Sequence, residues 1–179
     1  MKKITLVLLI LLSLISCESS DKVETVAINN KYSVDIPTNL TVSTQLNDEA
    51  SLQYMNAHEE LYIVVLDESI ADFKKAIDEN NLGDQFKDDL EGYSKMLLEL
   101  FVDRTEATNV SEVNKTTING LPALIYSFDA NLSGHDVKYQ IAYLEGQKDY
   151  YQVLTWTLGS KNEINKNKMK NMIMSFKEI

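Results

Sequence analysis

The segment that determines the fold class is "VKYQIAYLEGQKDYYQVLTWTL", residues 137–158. Its two halves, residues 137–145 and 150–158, alternate aromatic and β-branched side chains with polar ones, which is typical of half-buried strands. The polar residues "GQKD" between them contain a glycine, so the two halves are predicted to pair as an antiparallel hairpin. We therefore expect a strand from Tyr150 to Leu158.

Strand patterns also lie upstream of this hairpin. In "KYSVDIP", residues 31–37, apolar and polar side chains alternate from Tyr32, and Pro37 ends the strand. "ASLQYMN" and "ELYIVVLD" predict a hairpin through the polar turn at 57–60. "NVSEVNKTTI" and "ALIYSFDANL" flank a turn with Asn119-Gly120 at its tip.

Two helices are predicted between these groups of strands. The first starts at Ser69, has Asp72 in the position of a capping-box acid and is closed by Gly83. The second has apolar residues at spacings of three and four, which is typical of an amphipathic helix packed on a core. These residues are Phe86, Leu90, Tyr93, Leu97 and Leu100.

A third helix is predicted at the carboxyl end, from Asn162 to Phe176. Ser160 and Glu163 have the spacing of a capping box. The predicted buried stripe consists of Ile164, Met169, Met172, Ile173 and Phe176. Because the strands come in hairpin groups and do not alternate singly with helices, the chain is predicted to be an α+β protein, a mainly antiparallel sheet flanked by helices.

Four short segments resemble a known superfamily. They are "YSVDIP", "NGLPA", "YYQVLT" and the terminal "MSFK" at residues 174–177. In their order along the chain they are similar to the superfamily of the photosystem II extrinsic protein PsbP and the Ran-binding nuclear import factor, which has many bacterial envelope members. The resemblance implies a PsbP-like α/β/α sandwich over residues 31–179, and it implies no common catalytic residues.

The amino terminus has the layout of a secretory signal peptide. Lys2 and Lys3 precede an apolar run from Ile4 to Ile15. That run would rise only about 18 Å as a helix, which is too short for a hydrocarbon core of about 30 Å. Residues 14–17, Leu-Ile-Ser-Cys, resemble the bacterial lipobox, which implies cleavage after residue 16 and lipidation of Cys17, including palmitate. An ordinary signal peptide with an incidental cysteine is the alternative.

The predicted organisation is therefore a signal peptide (1–16), a lipidated amino terminus with a flexible spacer (17–30) and one domain (31–179). Residues 17–179 hold 15 Lys and Arg against 27 Asp and Glu, a net charge of −12. Such a chain is repelled by phosphates, so nucleic acid is excluded as a partner. The predicted membrane contact is the lipid anchor. Glu18, which is not the aspartate that retains enteric lipoproteins at the inner membrane, indicates the outer membrane of a bacterial envelope.

Candidate catalytic and metal-binding residues are few. Serine hydrolysis would need His58 or His135 as its base, and both are interpreted as surface or turn residues. His58, Glu59 and Glu60 lie together on a predicted turn and are weak candidates for a metal site. Their spacing matches no metal-binding loop, and no metal or other cofactor is predicted.

A charge asymmetry and a set of aromatic residues could each mark a binding surface, or could be a solvated helix face and part of the core. Residues 67–91 hold nine Asp and Glu and three Lys, whereas the last 19 residues hold five Lys and two Glu. This asymmetry fits solvated helix faces or a partner of opposite charge. An aromatic set could line a cleft, although positions on adjacent strands favour the core. It comprises Tyr139, Tyr143, Tyr150, Tyr151 and Trp156.

The function predicted from these observations is a non-enzymatic, membrane-anchored envelope lipoprotein. Its domain is predicted to bind an envelope protein partner or a small ligand. The alternative is a metal-dependent or hydrolytic envelope enzyme.

Overall fold

The structure, a computed structural model, describes residues 22–179, in which groups of strands alternate with helices. The strands are β1 Val23–Ile28, β2 Tyr32–Pro37, β3 Thr41–Val42, β4 Leu52–Asn56, β5 Leu61–Ser69, β6 Asn114–Ile118, β7 Leu121–Leu132, β8 His135–Glu145, β9 Asp149–Leu158 and β10 Lys177–Glu178. The helices are α1 Ile70–Glu79, α2 Leu90–Thr105 and α3 Asn162–Ser175, with a short 3₁₀ turn, Gly159–Lys161, before α3. In this part of the chain no helix has both the length and the apolar character needed to cross a bilayer.

Seven of the strands form one antiparallel sheet in the order β3-β4-β5-β9-β8-β7-β6. The hairpin predicted from residues 137–158 lies inside it, with Val137 opposite Leu158 and Glu145 opposite Tyr150. β5 pairs with the other edge of β9. The predicted strand from Tyr150 to Leu158 is thus confirmed, and it begins one residue earlier, at Asp149.

Helices α1 and α2 cover one face of this sheet. Phe73 of α1 meets Tyr93 of α2 edge to face, with ring centroids 5.2 Å apart. Tyr93 in turn stacks on Tyr150 of β9 at 4.5 Å, and all three rings are buried. Pairs of this kind contribute about 0.5–1.5 kcal/mol beyond the burial of their area.

Helix α3 and a second, three-stranded sheet, β1-β2-β10, cover the opposite face. Phe176, directly after α3, stacks on Tyr32 of β2 at 5.1 Å and contacts the ring of Tyr151 in β9 at 4.8 Å. The predicted strand from Tyr32 to Pro37 is confirmed as β2. Helices on both faces of an antiparallel sheet confirm the α+β class and the α/β/α layering.

The domain starts earlier than predicted. Residues 23–28, assigned from the sequence to the spacer 17–30, form β1 and pair along their whole length with β2. The alternation was easy to miss because Val23, Glu24 and Thr25 are exposed and only Val26 and Ile28 pack against the core. The predicted boundary at residue 31 is therefore wrong, and the spacer can extend no further than Lys22.

Two predicted helix boundaries are also wrong. Ser69 caps α1 as expected, since its Oγ accepts a hydrogen bond from the Asp72 backbone N–H at 3.3 Å, but α1 ends at Glu79, before Gly83. Helix α2 begins at Leu90, because Asp89 caps it by accepting from the Gly92 N–H at 2.9 Å. Phe86 consequently precedes the helix, and Leu100 is exposed.

Helix α3 differs from its prediction in two respects: its amino-terminal cap and one residue of its predicted buried stripe. Lys161 occupies the cap position and no side chain caps the helix, so the proposed box of Ser160 and Glu163 does not form. Ile164 is exposed, while its neighbour Asn165 is fully buried. The rest of the predicted stripe is confirmed: Met169, Met172, Ile173 and Phe176 are all buried.

Candidate functional site

A cleft of about 390 Å³ opens between the outer part of the seven-stranded sheet and helix α3. Its volume lies in the range of about 300–1,000 Å³ that is usual for small-molecule sites. The lining residues come from β6, β7, β8, α3 and the segment before β6. They are Ser111, Asn114, Thr116, Ile125, Tyr126, Ser127, Gln140, Lys170, Ile173 and Met174.

The cleft forms because the cover provided by α3 ends partway along β7. On the face of β7 toward α3, Ala123 is buried and Ile125 packs against the core, but Ser127, the next residue on that face, is exposed. Gln140 of β8 lies directly opposite Ser127 in the strand register. The cleft therefore has a polar strip of the sheet on one side and apolar side chains, including Met174, on the other.

Of the residues that the structure describes, Lys170 is the one cation that lines the cleft. Two lysines on the same helix are held in ion pairs, Lys166 with Glu163 at 2.6 Å and Lys168 with Glu59 at 3.0 Å. For Lys170, which is exposed, the described part of the chain supplies neither a hydrogen bond nor an ion pair. Its ammonium group is thus available to an anionic group of a ligand.

A second polar cluster lies beneath α1 and α2. Gln152 donates from Nε2 to the Tyr93 hydroxyl at 3.2 Å. Burial raises the pKa of the nearby Glu68 carboxyl, and the Asp72 carboxylate acts in the same direction. Burial also raises the pKa of Tyr93 and of Tyr143, whose fully buried hydroxyl finds no hydrogen-bond partner within residues 22–179. Both phenols consequently stay protonated at neutral pH, so the cluster presents no phenolate nucleophile.

The predicted metal candidates lie on the turn between β4 and β5, but their side chains point to different partners. The Glu59 carboxylate binds the Lys168 ammonium at 3.0 Å, and the Glu60 carboxylate accepts from the Tyr62 hydroxyl at 2.8 Å. His58 is exposed. Among residues 22–179, no group of three His, Cys, Asp or Glu side chains is arranged to hold a metal ion.

The two histidines are separate from one another and from the cleft. His58 lies on the β4–β5 turn, and His135 is the exposed first residue of β8. Strands β5 and β9 stand between these two positions in the sheet order. Asp136, the sequence neighbour of His135, instead accepts a hydrogen bond from the Asn131 amide at 3.2 Å. The structure thus does not assemble a His-Asp pair.

The aromatic set belongs mainly to the core and does not line the cleft. Tyr139, Tyr143, Tyr150 and Tyr151 are buried. Trp156 is half-buried and stacks on Tyr62 at 5.1 Å. The cleft itself has no sequence signature, because its polar members are single residues drawn from separate strands.

The class defined by this architecture is an α/β/α sandwich on an antiparallel sheet. No protein-family model matches the sequence, and no curated protein sequence matches it. Among solved structures, the cyanobacterial PsbP protein CyanoP from Synechocystis matches over 93% of this chain and 99% of its own, with a TM-score of 0.63 and 10% identity. The fold is therefore PsbP-like, as the sequence segments indicated.

Another similar structure is LpqN from Mycobacterium tuberculosis, described as involved in cell envelope biogenesis. It covers 88% of this chain and 90% of its own, with a TM-score of 0.47 and 8% identity. At 10% identity the similarity to CyanoP establishes the fold alone. Cys17, the predicted lipidation site, and the predicted signal peptide lie outside the described residues.

Proposed function

We propose that this protein is a non-enzymatic binding domain, tethered to the bacterial cell envelope by lipid on Cys17, and that the cleft beside α3 takes a small amphipathic anion. The observation that carries the proposal is the combination of the cleft of about 390 Å³ with Lys170 in its lining, an ammonium group that makes no ion pair within residues 22–179. The anchor and its placement at the outer membrane rest on the lipobox-like residues before Cys17 and on Glu18.

The chemistry of the cleft favours an amphipathic ligand. Ile125 and Met174 offer apolar contact, Ser127 and Gln140 offer hydrogen bonds, and Lys170 offers a positive charge. A ligand that carries an apolar body and a carboxylate or phosphate would satisfy all three. The whole chain is acidic, so an anionic ligand would be repelled at most of its surface. The positive charge of Lys170 would therefore direct such a ligand to the cleft.

The alternative, a metal-dependent or hydrolytic enzyme, has less support. A nucleophile needs an adjacent base, but His58 on the β4–β5 turn and His135 at the start of β8 both lie outside the cleft lining. The carboxylates of Glu59 and Glu60 are each held by another side chain. No specific contact favours this alternative.

The ligand proposal is tested with decanoate as the anionic probe and decanol as its uncharged counterpart. Titration calorimetry should show that Lys170→Gln weakens decanoate binding about tenfold, because a hydrogen bond to a charged group contributes about 1.5–3 kcal/mol. Decanol binding should not change. Lys177→Gln is the matched control, an exposed lysine outside the cleft. Equal affinity of the wild type and Lys170→Gln for decanoate would refute the assignment.

The anchor is tested separately with Cys17→Ser. The serine hydroxyl has a far higher pKa than a thiol and cannot replace the thiolate that accepts the diacylglyceryl group. We expect the variant to lose radiolabelled palmitate and to stay as the unprocessed precursor. The wild type should be labelled and should partition into detergent. A Cys17→Ser chain that still takes up palmitate and matures normally would show that an ordinary signal peptidase cuts elsewhere.

A further inference from the structure

The described chain begins at one identifiable end of the domain. The Lys22 carbonyl accepts a hydrogen bond from the Thr38 backbone N–H at 2.8 Å. The next residue, Asn39, donates from its side chain to the Glu59 carboxylate at 2.7 Å. The start of β1 therefore lies beside the turn between β4 and β5, residues 57–60.

The first turns of α3 lie at the same end. The fully buried Asn165 donates to the Glu59 backbone carbonyl at 2.8 Å, and Lys168 pairs with the Glu59 carboxylate. A shallow depression of about 230 Å³ there is lined by His58, Glu59, Lys161, Ile164, Asn165 and Lys168. We call this region the β1 end of the domain: Lys22 and Val23, residues 38–42, residues 57–60 and residues 159–168.

The β1 end displays apolar side chains that nothing in the described chain covers. Val23 is 56% exposed, Val42 is 67% exposed and Ile164 is 65% exposed. Lys161 lies in the same depression as Ile164. A surface that combines exposed aliphatic side chains with lysines suits the headgroup region of a bilayer.

The opposite end of the domain carries a group of carboxylates. Around Tyr150, at the start of β9, the carboxylates of Glu145, Asp88 and Asp89 are close enough to act on its pKa. β9 runs from this acidic end to the β1 end, and its ten residues span about 30 Å. An anionic membrane surface would thus repel one end of the domain and tolerate the other.

The tether is short because the domain begins at Val23. Six residue steps separate Cys17 from Val23, and a fully extended chain covers about 20 Å over that length. Lipid on Cys17 would place this residue at the headgroups, so the β1 end could never be far from the bilayer. A spacer reaching residue 30 would have allowed more than twice that distance.

We propose that the β1 end rests on the lipid bilayer, with Val23, Val42 and Ile164 in the interfacial layer. This orientation depends on the proposed lipidation of Cys17, which holds the surface at short range. Lys170 lies six residues beyond Ile164, about 9 Å farther along α3, so the ligand cleft stands above the membrane surface and stays open.

The test uses the full, lipidated chain in phosphatidylcholine vesicles with brominated acyl chains. Lipid blocks the only cysteine of the chain, so an introduced cysteine takes an environment-sensitive fluorophore at a single site. We compare Ile164→Cys with Lys148→Cys, an exposed residue on the β8–β9 turn at the acidic end. Bromine should quench the label at 164 at least about twofold more than the label at 148. Equal quenching at the two positions would overturn the orientation.

A second pair of variants examines the contact itself. With the label at Val42→Cys, the added substitution Ile164→Glu should reduce quenching, because a carboxylate is costly to place in the interface. Gln147→Glu, an exposed change at the acidic end, should leave quenching unchanged. Palmitate labelling of the same samples separates the two proposals: a labelled chain without differential quenching refutes the orientation alone, whereas an unlabelled chain refutes the anchor and the orientation together.

Discussion

Phe176 and Tyr32, which lie almost at the two ends of the described chain, stack on each other with ring centroids 5.1 Å apart. Both rings are fully buried. Phe176→Ala should lower the free energy of unfolding by about 3–5 kcal/mol, since it removes a large buried ring and leaves a cavity. Urea denaturation measures the loss. Ile164→Ala on the same helix is the control and should change little, and a loss below about 1 kcal/mol for Phe176→Ala would mean that this end of α3 is peripheral.

Asn165 connects α3 to the sheet. Its side-chain amide donates to the Glu59 carbonyl at 2.8 Å and to the Thr157 hydroxyl at 2.9 Å, and the residue is fully buried. Asn165→Ala leaves these acceptors unsatisfied, so we expect a loss of about 1–3 kcal/mol in chemical denaturation. The exposed Asn171 provides the comparison, and Asn171→Ala should be nearly neutral. Similar effects for the two variants would contradict the role assigned to Asn165.

Gly92 allows close approach between α2 and the segment before it. A Cβ at this position would overlap the backbone of Lys87. Gly92→Ala should therefore destabilise the domain even though alanine favours helices. At Gly83 a Cβ meets nothing within 4 Å, so Gly83→Ala should be neutral or should stabilise by about 0.4–1 kcal/mol. Thermal unfolding of both variants gives the comparison: Gly92→Ala should lower the melting temperature and Gly83→Ala should not. A Gly92→Ala domain as stable as the wild type would contradict the close approach.

Glu68 should make stability depend on pH. Burial raises its pKa in the folded protein, so the ionised carboxylate is destabilising there and the protonated form is favoured. Glu68→Gln should consequently raise the urea midpoint at pH 7. That gain should shrink as the pH falls toward and below the ordinary glutamate pKa of about 4.3, because the carboxyl then becomes protonated in the unfolded state as well. Glu24→Gln, an exposed change on β1, is the control for replacing a glutamate by glutamine elsewhere in the domain.

The parts of the fold that the sequence predicted are those in which side chains alternate strongly. β2, β8 and β9 have this property. The cap at Ser69 was predicted from a different signal, the spacing of Ser69 and Asp72. β1 is not evident from the sequence because four of its six residues are exposed, and its pairing with β2 supplies the order that its own pattern lacks. Two-residue β10 is too short to show any period.

In the first turn of α3 the hydrophobic pattern predicts the wrong buried residue, Ile164 in place of Asn165. The buried face passes through Asn165, a polar residue whose burial depends on hydrogen bonds to β9 and to the β4–β5 turn. Apolar spacing therefore points to the adjacent Ile164, which is exposed. The cleft could not be predicted either, because Lys170 and Gln140 meet only through the packing of α3 on the sheet.

β2 lies between the first and the last strand of the described chain, with β1 on one edge and β10 on the other. The ribosome adds about 5–20 residues per second. It must reach residue 178 before β10 can pair with the second edge of β2. Until then the edge of β2 at Tyr32 and Ser33 has no partner strand, and a chain that lacks Lys177 and Glu178 could not form this pairing. A growing chain of this topology thus cannot complete its three-stranded sheet until residue 178 has been synthesised.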